Sequence, residues 1–241
     1  MKPKGYRRGY PVAILIGIEE NHAALWQIFS QVVKLQQTQP LNGNRKDHKA
    51  IYNFHETIIN TLRPTFKTGV QSLIITSPPR TNYAQDLQTH ITNHHTWLLQ
   101  GTNKITLALM TGSADTPAQV STLTQKPTFK QVIQTNTEQE TENLKELLEK
   151  RLNSNSQSVF FSLLEAEQLI LNPQLPNKPR PEYLLLTDEY LATSRQKNRI
   201  HRLMQIAQNK QIKTRVINAE TNAGIRLTQL GGIICLAKTT N

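Results

Sequence analysis

Cysteine is almost absent from this chain of 241 residues, which contains only Cys235. A disulfide needs two cysteines and a multi-cysteine zinc site needs more, so the sequence excludes an internal disulfide and such a zinc site. A single cysteine fits a reducing compartment, and we therefore expect a cytoplasmic protein. Cys235 stands within an apolar run, where we expect a small core side chain.

Long apolar runs are missing as well, since none approaches the roughly 18 residues that a membrane helix needs. Residues 12–18 are apolar and follow a basic segment, but the run stops at Glu19 and Glu20 without a small-residue cleavage site. We expect neither a signal peptide nor a membrane span, and we interpret the run as a buried strand.

Catalytic motifs are also lacking. The chain has no phosphate-binding loop of the Gly-x-x-x-x-Gly-Lys type and no nucleophile motif around a serine or cysteine. His48 and His55, beside Asp47 and Glu56, could form acid–base pairs, but they have no nucleophile to activate. We expect no enzyme activity and no cofactor.

Three histidines in one predicted helix raise the question of a metal site. His90 and His94 have the i, i+4 spacing of zinc proteases, but Ile91 stands where those enzymes have glutamate. No cysteine or paired carboxylate lies nearby in the sequence. We therefore expect His90, His94 and His95 to be surface or helix-cap residues, with no metal.

Positive charge is what the chain has in excess. It contains 28 Lys and Arg against 17 Asp and Glu, for a net charge of +11 and a sequence pI near 9.8. Residues 1–136 carry 14 basic and 6 acidic residues, net +8, whereas residues 137–241 carry 14 and 11, net +3. This excess predicts a polyanionic partner, above all RNA, with the first half as the preferred contact face.

Three basic clusters are candidates for RNA contact: an N-terminal arm, a polar loop, and one face of a predicted helix. Their residues are Lys2, Lys4, Arg7 and Arg8 in the arm, Arg45, Lys46 and Lys49 in the loop, and Arg195, Arg199 and Arg202 on the helix. The arm, with its interleaved tyrosines, either holds phosphates and stacks on bases or is a frayed terminus. The loop precedes a helix whose N-terminal amides favour anions. The three helical arginines have i, i+4, i+7 spacing, which suits either an RNA contact or solvated surface.

Apolar β-rich runs alternate with amphipathic segments, which predicts an α/β fold. The predicted strands are 12–18, 70–76, 105–110, 159–161, 183–186, 214–217 and 232–236, and the predicted helices are 47–62, 82–99, 138–152, 163–171, 196–209 and 223–230.

Residues 23–35 are ambiguous, and their apolar spacing leans towards helix. Thr137 and Glu140 spell a capping box, so we expect a helix to begin there and a second domain to span about 135–241. Residues 172–181, with four prolines, are predicted to be an extended loop.

Several segments resemble one known family. These are Val12-Ala-Ile-Leu-Ile-Gly-Ile-Glu-Glu, Ala23-Ala-Leu-Trp, Lys49-Ala-Ile-Tyr-Asn-Phe and Ser72-Leu-Ile-Ile-Thr-Ser-Pro-Pro, then Glu182-Tyr-Leu-Leu-Leu-Thr-Asp-Glu-Tyr-Leu and the ending from Thr214 to Ile234 with its Gly231-Gly232 pair. Together they resemble the central and C-terminal domains of Pelota and the archaeal and eukaryotic class-1 release factors.

The resemblance implies three regions: a basic arm at 1–10, an RNase H-like central domain at 11–134, and an α/β/α sandwich of the kink-turn-binding ribosomal-protein type at 135–241. It also implies strands rather than a helix within residues 23–35. The implied partners are the ribosome or tRNA, a translational GTPase, and an ABC-type ribosome-splitting ATPase.

Three departures from the family pattern limit what the resemblance implies. The match begins near residue 10, so we expect no counterpart of the domain that probes the decoding site. The Gly-Gly-Gln of release factors is replaced by Leu41-Asn-Gly-Asn-Arg-Lys-Asp, which argues against their peptide-release chemistry. The Gly-x-Asn-Glu turn of kink-turn binders is replaced by Phe161-Ser-Leu-Leu-Glu.

We therefore expect a non-catalytic protein that binds the ribosome or tRNA and acts in rescue, recycling or dormancy. Two alternatives stay open. One is a peptidyl-tRNA hydrolase or nuclease that uses the region of His48 and His55. The other is a protein interaction module that does not bind RNA.

Overall fold

The computed structural model describes residues 10–101, 104–154, 158–171 and 179–238. The chain divides into two compact units, the first formed by Met1–Phe66 and Val70–Thr137 and the second by Lys67–Gly69 and Glu138–Asn241. Within the described ranges, no helix combines the length and the apolarity needed to cross a bilayer. Most of the predicted arm, and residues 172–178 of the predicted proline-rich loop, lie outside these ranges.

The first unit is built on a five-stranded mixed sheet. Its elements are β1 (Pro11–Ile18), β2 (His22–Phe29), β3 (Val33–Pro40), α1 (His48–Lys67), β4 (Ser72–Ser77), α2 (Tyr83–His94), a 3₁₀ turn (Thr96–Leu98), β5 (Thr106–Thr111), α3 (Pro117–Gln125) and the first part of α4 (Pro127–Leu152). The strand order is β3-β2-β1-β4-β5, antiparallel among the first three strands and parallel from β1 onward. This is the RNase H-like arrangement that the resemblance implies.

Helices cover both faces of this sheet, and β1 contributes to both cores. Ile14, Ile16 and Ile18 pack with α1 and α2. Ala13 and Leu15 point to the opposite face, where they pack with α3 and the start of α4. Alternate strand residues face opposite sides, so a strand covered on both sides is apolar at nearly every position.

Residues 23–35 form parts of two strands, so the helical preference of their apolar spacing is wrong. Leu25 faces the α1 side of the sheet, whereas Ala24 and Trp26 face the α3 side. A strand buried on both faces does not show the polar–apolar alternation that would distinguish it from a helix. The following strand, β3, lies at the sheet edge and is largely exposed.

The second unit is an α/β/α sandwich. Its elements are the rest of α4, β6 (Val159–Phe160), α5 (Leu163–Leu171), β7 (Pro181–Thr187), α6 (Asp188–Thr193), α7 (Lys197–Asn209), β8 (Lys213–Ile217), α8 (Asn222–Gln229) and β9 (Ile233–Ala237). The strand order is β6-β9-β7-β8, with only β7 and β8 parallel. Tyr183 and Leu185 of β7 pack with α4 and α8. The alternate residues Leu184 and Leu186 point to the opposite face, where α5 packs on β7 and β9 and α7 packs on β8.

The long helix α4 begins ten residues before the predicted capping box. Pro127 suits a first helical position because it has no N–H to leave unpaired, and the buried Phe129 anchors this first turn in the core of the first unit. Thr137 therefore lies inside the helix rather than at its start. Glu140, expected in the first turn of a helix as part of the capping box, is 1% exposed and pairs with Arg215 of β8.

Candidate nucleic-acid interface

The loop formed by residues 41–47 joins the edge strand β3 to α1, and backbone bonds hold it in place. Leu41 is buried and its N–H donates to the Asn21 carbonyl at 2.7 Å. Gly43 has φ +131°, and a Cβ on it would lie 2.8 Å from the Cβ of Ala50. This conformation and this contact both require glycine. Asn44 accepts from the N–H of Asp47 through its carbonyl and from the N–H of Lys46 through its side chain.

Arg45 holds the loop to the rest of the first unit. Its guanidinium donates to the Glu20 carbonyl at 2.6 Å and to the Glu19 carbonyl, both in the β1–β2 turn. Its Cζ lies 3.7 Å from the ring centroid of Tyr83, the first residue of α2. Partial burial lowers the pKa of Arg45, while the nearby Tyr83 and acidic side chains oppose that shift. The structure thus gives this predicted RNA-binding residue an intramolecular, positioning role.

Lys46 and Lys49, the other two predicted loop residues, are exposed at the start of α1. The side chain of Asp47 accepts from the N–H of Lys49 at 2.9 Å, so a carboxylate already occupies one of the helix N-terminal amides. The amides at this helix end, which we expected to bind a phosphate, are therefore partly occupied by a carboxylate of the same chain. The exposed side chains of Lys46 and Lys49 therefore remain as the candidates of this cluster for contact with a phosphate.

The three predicted helical arginines do not share one helix. Arg195 precedes α7, whereas Arg199 and Arg202 lie on it and all three are exposed. Arg199 donates through two nitrogens to the carboxylate of Glu167 in α5 and through a third to Gln196. Arg202 and Arg195 thus remain as the exposed candidates of this cluster. Lys2, Lys4, Arg7 and Arg8 lie outside the described residues.

Of the three histidines expected to be surface or helix-cap residues, His95 is the C-cap residue of α2, as expected, whereas the expectation is wrong for His90. His94 is exposed, but His90 and His95 are 7% and 4% exposed. His90 Nε2 lies 3.1 Å from Glu56 Oε1, and His95 Nε2 lies 2.8 Å from the same oxygen without making a hydrogen bond to it. Glu56 is on α1 and so is distant in sequence, and its contact with the two histidines arises from the packing of α1 against α2.

A fourth histidine extends this cluster into the core. His55 is 2% exposed, its ring centroid lies 5.1 Å from that of His90, and its Nε2 has no hydrogen-bond partner among the described residues. Burial, with the nearby His90 and Arg45, lowers the pKa of His55 to about 4. Burial also lowers the pKa of His90, although Glu56 opposes that shift. Both imidazoles are held in an environment that favours the neutral form.

The acid–base pairs considered for His48 and His55 do not form a site. His48 is exposed at the start of α1, whereas His55 is buried. Asp47 binds a backbone amide and Glu56 faces His90 and His95, so neither carboxylate is placed as the sequence suggested. A buried imidazole cannot reach a tRNA ester, so His55 is not placed to act in the hydrolase alternative.

Comparisons with known proteins give matches among solved structures alone. No protein-family model and no curated protein sequence matches the chain. The chain is similar to S. cerevisiae Dom34, described as a translation termination-like factor that interacts with Hbs1, with 18% identity, a TM-score of 0.50, and coverage of 95% of this chain and 63% of that one. It is also similar to a chain of ribosome-bound archaeal Pelota and ABCE1, with 14% identity, a TM-score of 0.55, and coverage of 99% and 64%.

These matches show that the chain has a Pelota-like fold over nearly its whole length. The fold that the resemblance implied is thereby confirmed. The chain spans slightly less than two thirds of the length of either matched structure.

Proposed function

We propose that this chain is a non-catalytic translation factor that binds the ribosome or tRNA and acts in rescue, recycling or dormancy. The observation that carries the proposal is the Pelota-like fold of nearly the whole chain, since one matched structure is a termination-like factor and the other belongs to a ribosome-bound assembly. On this proposal the first unit corresponds to the central domain of the family and the second to its C-terminal domain. The protein would act in the cytoplasm, where translation takes place.

The contact with RNA is proposed to be electrostatic and to centre on the first unit. Residues 1–136 carry a net charge of +8, and two lysines are exposed, Lys46 on the loop and Lys49 in the first turn of α1. Lysines neutralise phosphates without reading bases, so they would give affinity that depends on salt. Arg195 and Arg202 on the second unit, and the basic arm, are proposed as further contacts.

The same loop supports the proposed absence of catalysis. It presents amide, lysine and carboxylate side chains, and its arginine is engaged with backbone carbonyls. It contains neither the Gly-Gly-Gln of release factors nor a serine or cysteine nucleophile. A translational GTPase and an ABC-type ATPase are proposed partners, because Dom34 interacts with Hbs1 and archaeal Pelota is found with ABCE1.

The proposal is tested by reversing the two exposed loop charges and measuring ribosome binding at several salt concentrations. In the double variant Lys46→Glu and Lys49→Glu, two phosphate contacts are lost. The slope of log Kobs against log salt should become shallower by about 1.4–1.8, because each contact contributes roughly 0.7–0.9. Binding should also weaken at every salt concentration.

A matched control separates local contact from net charge. Lys126 and Lys130 are exposed on the same unit, so reversing both changes the net charge by the same amount. This control should keep the wild-type slope. If the loop variant binds as wild type does, or if the control loses as much as the loop variant, the loop is not the proposed contact.

A further inference from the structure

The contacts between α1 and the end of α2 bring together three side chains that are suited to bind a metal. The ligand atoms of Glu56, His90 and His95 all lie within 4.8 Å of one another. Two ligand atoms on a tetrahedral zinc ion, each about 2.1 Å from it, are roughly 3.4 Å apart. The separations of 3.1 Å and 2.8 Å between the imidazole nitrogens and the carboxylate oxygen are already close to that value.

The burial of the three residues fits a site with one open coordination position. The side chains of His90 and His95 are each 6% exposed, whereas that of Glu56 is 27% exposed. An ion at this place would be shielded by the two imidazoles and reached from solvent on the carboxylate side. Two histidines and one glutamate are a ligand set that binds zinc with a water molecule in the fourth position.

The contact between His95 and Glu56 supports the same conclusion. His95 is 4% exposed, and its Nε2 lies 2.8 Å from the carboxylate oxygen of Glu56 but makes no hydrogen bond within the part of the chain that the structure describes. A buried polar atom without a well-aligned hydrogen bond is unfavourable. A metal ion placed between the nitrogen and the oxygen would engage both.

We propose that Glu56, His90 and His95 bind one divalent first-row transition-metal ion of the zinc class. Two imidazole nitrogens favour such an ion over Mg²⁺ or Ca²⁺, which prefer ligand sets made of oxygen. The ion would link α1 to the end of α2 and so stabilise the helix that follows the basic loop. This inference is independent of RNA binding, because it concerns a separate set of side chains.

The test is zinc titration of the tag-free, EDTA-treated full chain by calorimetry. The wild type should bind one Zn²⁺ per chain, and Mg²⁺ at the same concentration should not compete. Glu56→Gln and His95→Asn should each weaken zinc binding more than about tenfold, because even outer-shell partners of a metal cost 10–100-fold. Glu56→Gln is the safer variant for folding, since Glu56 is partly exposed and the amide has the same shape.

His94→Asn is the matched control, because His94 is an exposed histidine on the same helix and is not among the three ligands. This variant should bind zinc as the wild type does. Zinc at about 100 times the wild-type Kd should also raise the Tm followed by tryptophan fluorescence by on the order of 5–10 °C, and at the same zinc concentration Glu56→Gln should reduce this rise to about half or less. The absence of stoichiometric zinc binding in the wild type would overturn the proposal, as would wild-type affinity in both ligand variants.

Discussion

Arg45 provides a stability prediction that separates its positioning role from RNA contact. Replacing Arg45 with alanine removes two charge-assisted hydrogen bonds, to the carbonyls of Glu19 and Glu20, and the contact with the Tyr83 ring. Hydrogen bonds of this kind contribute about 1.5–3 kcal/mol each and a cation–π contact about 0.5–2 kcal/mol. The guanidinium is only half-buried, and water can replace part of what is lost. We therefore expect the free energy of unfolding to fall by about 2–4 kcal/mol.

The assay is urea denaturation followed by tryptophan fluorescence. The two tryptophans, Trp26 and Trp97, both belong to the first unit, so their emission reports on the unit that contains the loop. Arg45→Lys should lose about half as much stability, because an ammonium keeps the charge but cannot span both carbonyls as the planar fork does. Lys46→Ala, an exposed neighbour, should stay within about 0.5 kcal/mol of wild type. An Arg45→Ala protein as stable as the Lys46→Ala protein would refute the positioning role.

Two further predictions concern buried charge. Glu140→Leu should destabilise the second unit by about 3–5 kcal/mol in a denaturation followed by circular dichroism, because it leaves Arg215 buried without its carboxylate. The double variant Glu140→Leu, Arg215→Met should recover most of that loss, and a double variant no better than the single one would contradict this view of the pair. Since the pKa of His55 is lowered from 6.5 to about 4, the folded state binds its proton less readily than the unfolded state. The contribution of neutral His55 to the free energy of unfolding is therefore fully present above pH 6.5, and about 3 kcal/mol of it is lost as the pH is lowered to 4. The variant His55→Gln should lack this part of the pH dependence. A variant with the same pH dependence as the wild type would contradict the assignment to His55.

Local pattern predicted most elements of both units, because buried strands and amphipathic helices carry strong signals. It did not place β2, whose residues are buried on both faces and so lack alternation. The start of α4 was also misplaced: Thr137 and Glu140 have the spelling of a capping box, but Phe129 finds a buried site and extends the helix towards the N-terminus. In each case tertiary burial outweighed the local signal.

The candidate sites depended still more on tertiary structure. The exposure of Lys46 and Lys49 could be predicted from the sequence, because the residues around them are polar. The partners of Arg45 are backbone carbonyls more than twenty residues away, which no side-chain pattern encodes. Glu56 and His90 are 34 positions apart and meet only because α1 packs on α2. The three histidines could be recognised in the sequence, but the contact of the Glu56 carboxylate with His90 and His95 could not.

The central claim, that the chain binds ribosomes by neutralising phosphate charge, is tested most directly by sedimenting wild-type protein with ribosomes through a sucrose cushion over a salt series. The account predicts binding at low salt and a linear decrease of log Kobs with log salt. Failure to sediment with ribosomes at low salt, or binding that is indifferent to salt, would contradict it.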